Sequence, residues 1–257
     1  RKGEVRVNSK RVKPDIKLSE NDLIRIPPNL YNYDRPIEVD LKKYSYLKDR
    51  VIYDDEDFLI FNKPSNFAVH SGTKNNLGLI DILRSILKNE SLNLCHRLDK
   101  GTSGCLVIAK NQTFLRFFNN QLKDRKIKKI YHALVKDHIS EEMQIYDTLD
   151  TATKGTYKKV SFKKDGKEAK SIFKPIKNFH ESSLVQIQIL TGRTHQIRAQ
   201  CEKIKRNIAN DSKYGCNIFN THIKKSGIKR LGLHSSEISF VDMEDKRNTF
   251  FADYDDE

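Results

Sequence analysis

Between Leu94 and Lys110 the chain reads LCHRLDKGTSGCLVIAK, and the charged centre of this stretch is where its residue types could do chemistry. Asp99 stands two residues after Arg97 and directly before Lys100. Nearby positive charge favours the ionised form of a carboxylate, which suits Asp99 to act as a nucleophile or base rather than as a proton donor. Gly101 and Gly104 allow backbone angles closed to other residues, so the loop can turn tightly and admit another backbone. Taken alone, the same residues also describe a solvated surface turn with a weak ion pair. A second basic turn, LTGRTHQIRAQ at 190–200, likewise joins an apolar run to an amphipathic one, so two such turns could face one cleft. With Thr194 as N-cap, Thr194 and Arg198 lie four apart on one helical face, away from Ile197 and Cys201. Arg193 and Arg198 would then sit near a helix start, where the macrodipole slightly disfavours cations, and that small penalty favours a task for them over simple solvation. HRLDKGTSG is superficially similar to a protein-kinase catalytic loop, but Asp99 is displaced by one residue, no GxGxxG precedes it and no DFG follows. With no GxxxxGK[ST] loop either, a reaction driven by a nucleoside triphosphate is unsupported.

The elements around these turns follow from periodicity. Residues 1–30 contain short alternating runs (VRVN, IKL, LIRI) separated by turn residues, which predicts small β-hairpins ended by Pro27 and Pro28. Residues 31–50 have no clean period and read as a linker, so the main domain, 51–257, would start near Val51. RVIYDDEDFLIFNKP predicts two strands around an acidic turn, stopped by Pro64. Residues 77–89 carry apolar side chains at 79, 80, 82, 83, 86 and 87, the spacing of an amphipathic helix, and NQTFLRFFNNQL repeats that signal with Phe114, Phe118 and Leu122. CLVIAK, IKKIYHALVKD and SLVQIQIL read as strands, and HQIRAQCEKI as a helix with Ile197, Cys201 and Ile204 on one face. The lysine-rich 154–170 segment, with Asp165-Gly166 as a turn signal, predicts an exposed basic hairpin. Strands and helices alternate irregularly with several hairpins, so the expected class is α+β with a mainly antiparallel sheet.

A chain of 257 residues can bury one sizeable core with a small appendage. Its 48 Lys plus Arg against 34 Asp plus Glu leave a net charge of +14, which makes nucleic acid the leading partner class. No apolar run is long enough to span a bilayer and no signal-peptide succession opens the chain, so a cytoplasmic location without membrane contact is expected. Cys95, Cys105, Cys201 and Cys216 show neither CxxC pairing nor Cys/His ligand spacing, which predicts reduced core thiols and no metal site. The chain opens at Arg1 inside a strand-like pattern, as expected of a piece of a longer product.

Four segments, NKPSNFAVH (62–70), HRLDKGTSG (96–104), KKIYHAL (128–134) and TGRTHQIRAQ (191–200), resemble in order and spacing those of the RluA-type pseudouridine synthases. NIANDSKYG (207–215) and RLGLHSSEISF (230–240) are similar to that family's C-terminal segments, so the resemblance spans about residues 51–245. Asn210 replaces a usual glycine and Ser235 a usual alanine, departures that bear on subfamily and leave the four motifs intact. Residues 1–30 resemble the C-terminal part of an S4-like RNA-binding domain, as found in the RluC branch, with the RluD branch next. The resemblance implies a pseudouridine synthase fold, a mixed sheet flanked by helices and loops around a central RNA-binding cleft. It implies 23S ribosomal RNA of the large ribosomal subunit precursor as partner, several target uridines, a monomer, and no cofactor. It makes Asp99 the catalytic aspartate at the target ribose, Tyr131 the tyrosine that stacks on uracil and is placed to take the C5 proton, and Arg198 the partner of the aspartate. Arg97 would fill the gap left by a flipped base, and Lys63 with Pro64 matches the NKP motif. His96, Thr194, His195 and Gln196 would lie at the RNA beside Arg193, which our own reading assigns to a phosphate. Only one carboxylate stands in these motifs, which fits isomerisation better than the two-carboxylate hydrolysis of a glycosidase. An RNA N-glycosidase and a non-catalytic ribosome-assembly protein stay open as alternatives, the first distinguished by free uracil as product.

Overall fold

A computed structural model describes residues 5–13, 15–25, 40–71, 77–154 and 157–254. The chain divides into two compact units, Arg1–Val39 and Asp40–Glu257. In the smaller one, β1 (Arg6–Val7) pairs antiparallel with both β2 (Lys10–Arg11) and β3 (Ile24–Arg25). Asn8 and Ser9 turn the first hairpin with φ of 49° and 65°, the left-handed pair that a tight two-residue connection requires and that asparagine tolerates. The stop expected at Pro27 and Pro28, and the linker as far as residue 39, lie outside the described residues.

The larger unit begins before Val51. Asp40 caps α1 (Leu41–Tyr44), its carboxylate accepting the Lys42 and Lys43 N–H groups, and a 3-10 turn (Ser45–Arg50) follows. Leu47 in that turn is fully buried, so the stretch read as linker from 40 to 50 is an ordered part of this unit; one anchor residue among charges leaves no periodic signal. β4 (Val51–Asp54) and β5 (Phe58–Lys63) form the hairpin around the acidic turn. In α2 (Leu79–Leu87) the apolar spacing is spent as expected, with 79, 80, 82, 83 and 86 all buried.

β6 (Asn93–Leu94) and β7 (Ser103–Ala109) bracket the Asp99 loop, and all seven residues of β7 are buried because neighbours cover both its faces. Asn111 caps α3 (Gln112–Lys123), accepting the Phe114 N–H at 2.8 Å. β8 (Lys128–Lys136), β9 (Met143–Lys154), β10 (Tyr157–Phe162), β11 (Lys167–Asn178) and β12 (Ser182–Ile189) then run to α4 (Gln196–Lys203), α5 (Asn217–Lys225), β13 (Leu233–Val241) and β14 (Arg247–Phe251). Among the described residues the main sheet has the order β10-β9-β11-β12-β8-β13-β7-β5-β4, with β14 on β13 and β6 on β7. Every pairing is antiparallel except β13 with β7. The class is therefore α+β with a mainly antiparallel sheet, as expected. Phe58, Phe114, Phe118 and Phe240 hold α3 against β5 and β13, Phe58 and Phe114 stacking at 4.6 Å.

The lysine-rich segment folds differently from the expectation. β10 and β11 do not pair with each other; they flank β9 on opposite sides, and Leu149 of β9 faces Phe162 of one and Lys167 of the other. The Asp165-Gly166 turn thus carries the chain across β9 rather than closing a hairpin. Gly166 is needed there for close approach, since a Cβ would lie 2.8 Å from the Leu149 backbone.

Candidate active site

The Asp99 loop is pinned from below. Lys63, at the end of β5, is fully buried and donates from Nζ to the carbonyls of Pro64 (2.9 Å), Phe67 (2.9 Å) and Lys100 (3.1 Å), while Ser65 Oγ donates to the Gly101 carbonyl at 2.8 Å. Lys63 and the buried Pro64, expected at the RNA, are thus inside the protein and tie the NKP turn to the loop. Gly104 takes φ +105° where β13 crosses, and a Cβ there would fall 2.2 Å from the Ser235 carbonyl oxygen, so the glycine lets β7 and β13 pair at the loop's exit. Above this base Leu98 is buried, Arg97 and Lys100 are exposed, and the Asp99 carboxylate retains 19% of its exposure.

The second turn approaches from β12. His195, not Thr194, occupies the N-cap of α4, with φ 53° and no side-chain cap. The shift by one residue arises because Gln196 closes the turn from inside: its Oε1 accepts from Thr191 Oγ1 (2.8 Å) and the Arg193 N–H (3.1 Å), and its Nε2 donates to the Lys170 carbonyl (3.1 Å) and Ser171 Oγ (2.9 Å). Gln196, expected at the RNA, is therefore buried and fully bonded. The first turns of α4 are buried on every side, Arg198 included, so the separate polar face expected for that arginine does not exist.

Arg198 instead bridges two carboxylates. Nη1 donates to Asp99 Oδ2 at 3.0 Å, and Nε and Nη2 make a two-pronged contact with Asp211 at 2.7 and 2.9 Å. Burial alone would lower the guanidinium pKa, but the bonds to and charges of Asp211 and Asp99 raise it above the usual arginine value. Burial likewise works to raise the Asp211 pKa, yet Arg198 and the Lys213 and Tyr214 N–H groups outweigh it and lower it. Asp211 was not singled out in NIANDSKYG, and no local signal could have found it, because its partner is thirteen residues away across a fold contact. The expectation of a single carboxylate is corrected accordingly. The side chain of Asp211 is wholly buried behind Arg198, however, so among these carboxylates Asp99 alone is exposed towards the cleft.

His195 lies beside the pair, its Nε2 3.7 Å from Asp99 Oδ2 and its Nδ1 2.9 Å from the Tyr214 hydroxyl. Burial, helped by the Arg198 and Lys213 charges and opposed by Asp99, lowers its pKa. Tyr214 also accepts the Val160 N–H at 2.9 Å and lies under the Arg198 guanidinium at 5.1 Å, a further contact that sequence reasoning missed. Tyr131, from the middle of β8, is buried and lines a cleft of about 510 Å³ together with Asp99, Arg97, Arg193 and Thr194. Burial raises its phenol pKa and the Asp99 charge adds to this, against a hydrogen bond from Ser235 that lowers it.

Arg97 and Asp99 also border a second hollow of about 890 Å³, lined by Lys100, Lys213, Lys229 and Arg230, so the pair stands on the divide of a basic trough. His96 lines the first hollow but is committed to the protein: its Nε2 accepts the Val107 N–H at 3.0 Å, its ring stacks on Phe118, and burial lowers its pKa to about 3. Arg193 donates from Nε to the Glu168 carbonyl at 2.9 Å and lines the same cleft. The structure thus brings Asp99, Arg97, Tyr131, Arg193, Thr194, His195 and Arg198 to one trough and places Lys63, Pro64 and Gln196 beneath it. Cys95, Cys105 and Cys201 are buried and unbridged, Cys216 half-buried, and among the described residues no three potential ligands cluster for a metal ion.

Comparison with known proteins agrees with the motifs. The sequence profile of the family described as RNA pseudouridylate synthase matches residues 57–203. Ribosomal large subunit pseudouridine synthase C of Vibrio cholerae is 37% identical over 246 residues, covering 94% of this chain and 78% of the relative. The protein of the same description from Buchnera aphidicola of Acyrthosiphon pisum is 39% identical over 248 residues, with 94% and 78% covered. The solved structure of human RNA pseudouridylate synthase domain containing 1 superposes with a TM-score of 0.67 at 23% identity over 79% of this chain and 82% of that one, a likeness of fold. With a profile match over more than half of its length and relatives at this identity along nearly all of it, the chain belongs to the RNA pseudouridylate synthases, isomerases of uridine in RNA.

Proposed function

We propose that this chain converts uridine to pseudouridine at several positions of 23S ribosomal RNA, acting in the cytoplasm as a monomer on the large-subunit precursor without a cofactor. The observation that carries the reading is Asp99: a partly exposed carboxylate on the divide of a basic trough, held by Arg198 and opposite a buried tyrosine. The relatives named as ribosomal large subunit synthases support the choice of RNA. In this reading the N1–C1′ bond of the flipped uridine breaks, the uracil turns while bound, C5–C1′ forms, and the proton on C5 is removed while N1 gains one, so the product is an isomer. Asp99 acts at the ribose, either on C1′ or on the C2′ proton, and Arg198 fixes its orientation. Tyr131 stacks on the uracil and relays the C5 proton. Arg97 fills the gap in the RNA, and Arg193, Thr194 and His195 line the path of the strand. Flipping is opposed by base stacking in the RNA, and this cost of extrusion, on the order of a few kcal/mol, is offset by these contacts. Residues 1–30 act as the C-terminal part of an S4-like unit that adds phosphate contacts.

The test is Asp99→Asn on a 23S ribosomal RNA fragment. Binding within about threefold of the parent and loss of turnover by a factor on the order of 10⁴ is expected. Pseudouridine formation by this variant near the parental rate would sink the assignment. Mapping pseudouridines in cells lacking the protein identifies the target uridines, and release of free uracil would convert the reading to that of a glycosidase.

A further inference from the structure

Two consecutive lysines on β8 have opposite fates. Lys128 faces outward and spends its charge on Glu237 at 2.9 Å. Lys129 shares the other face of the strand with Tyr131, because side chains alternate, and lines the same cleft as Asp99 and Arg193. It is half-buried, burial lowers its pKa, and among the described residues it forms no ion pair. The titratable neighbour that feels its charge is His96, whose own pKa is already lowered by burial and which offers no anion. The Lys129 ammonium lies against the TGR turn: a Cβ on Gly192 would stand 3.4 Å from Nζ. Gly192 is exposed and does not adopt left-handed backbone, so the turn itself does not require a glycine. Its bare backbone leaves the ammonium open to the cleft mouth.

A half-desolvated cation without a counter-charge is costly unless a ligand supplies the anion. We propose that Lys129 binds a backbone phosphate of the RNA strand carrying the target uridine, the phosphate entering past Gly192. The placement orders the site as a nucleotide is ordered: the base against Tyr131, the sugar at Asp99 and the phosphate at the glycine rim. The proposal rests on the reading of RNA as substrate. The other negative charge that could form in this cleft is that of the departing uracil, and the experiment separates the two.

Lys129→Met and Lys129→Arg are compared with the full parent chain on one 23S ribosomal RNA fragment, measuring Kd across a salt series and the single-turnover rate at saturating enzyme. Loss of one phosphate contact predicts that Lys129→Met flattens the dependence of log Kd on log salt by about 0.7–0.9 and weakens binding about tenfold at low salt, with Lys129→Arg restoring both. The saturating rate stays within about threefold of the parent, because a contact made equally in ground and transition states leaves it unchanged. Gly192→Leu, which covers the ammonium, weakens binding to a similar degree and adds little when combined with Lys129→Met. A saturating rate reduced a hundredfold at unchanged Kd overturns the phosphate contact in favour of the departing uracil. A salt slope for Lys129→Met equal to that of a parent chain that does isomerise the fragment overturns it while the function stands. A parent chain that neither binds nor isomerises 23S fragments overturns both.

Discussion

Arg198 links the residues that could react to those that cannot. A planar guanidinium offers a fork to Asp211 and still has a donor left for Asp99, which a lysine at that position could not supply in the same geometry. Asp211 thereby locks the arginine, the arginine locks the Asp99 carboxylate, and the hydroxyl and ring of Tyr214 close the far side. Tyr131 stands apart from this network. Burial and the Asp99 charge raise its phenol pKa, against a hydrogen bond from Ser235, and so keep the hydroxyl protonated at neutral pH. Tyr131→Phe keeps the ring and removes the hydroxyl proposed to relay the C5 proton. The expected outcome is a Kd for RNA within about twofold of the parent with the saturating rate lower by a factor of about 10²–10⁴. Rapid-quench assays of pseudouridine formation check it, and full activity of the variant removes the hydroxyl from the reaction.

At the scale of elements, the trough is made by two strand-to-helix or strand-to-strand turns held to the same sheet end. The first is set by Lys63, which gathers three carbonyls beneath the Asp99 loop, and the second by Gln196, which ties β11 to Thr191 and Arg193 of the TGRT turn. Both are buried polar pins whose removal leaves backbone groups unpaired. Lys63→Met is expected to lower stability by about 2 kcal/mol or more and, by freeing the Lys100 carbonyl, to slow turnover while the exposed RNA-facing charges are untouched. Urea unfolding paired with Kd measurement checks this. A variant of parental stability and rate would mean that the loop holds its shape without the pin. This division of labour also explains why motif membership did not separate contacts from supports: Gln196 shares a segment with Arg193, and Lys63 and Pro64 form a motif of their own, but which of them is buried is set by neighbours in space.

For the whole molecule, charge and burial set different pH behaviours. The +14 net charge favours a polyanionic partner and persists across the neutral range. Stability, by contrast, depends on histidines that the fold keeps neutral: burial holds His96, His132 and His195 below the ordinary value, His96 at about 3. Between about pH 6.5 and 3 the unfolded chain takes up protons that these side chains refuse in the folded state, so stability falls as pH falls. For His96 the loss is about 2 kcal/mol by pH 5, since each pH unit corresponds to about 1.4 kcal/mol. Urea midpoints are therefore expected to drop from pH 7.5 to 5, and His96→Leu to flatten that decline. An equally steep decline in the variant would assign it to other groups. The elements were largely legible in the linear chain: α2 and α3 from their apolar spacing, β7, β8 and β12 from continuous or alternating runs, and the Asp99 and TGRT turns from glycine and charge between such runs. Those signals are local, because helix and strand periods are properties of consecutive residues. What the chain could not declare is non-local. Asp211 and Tyr214 meet Arg198 only through the packing of α4 against the 207–215 segment, Lys129 forms no ion pair among the described residues, and the Asp165-Gly166 turn crosses β9 because β10 and β11 occupy its two edges. Sequence alone determined the family motifs, the basic character and most elements; the tertiary structure decided which polar residues of those motifs face the trough and which hold it up, since burial and pairing belong to neighbours in space.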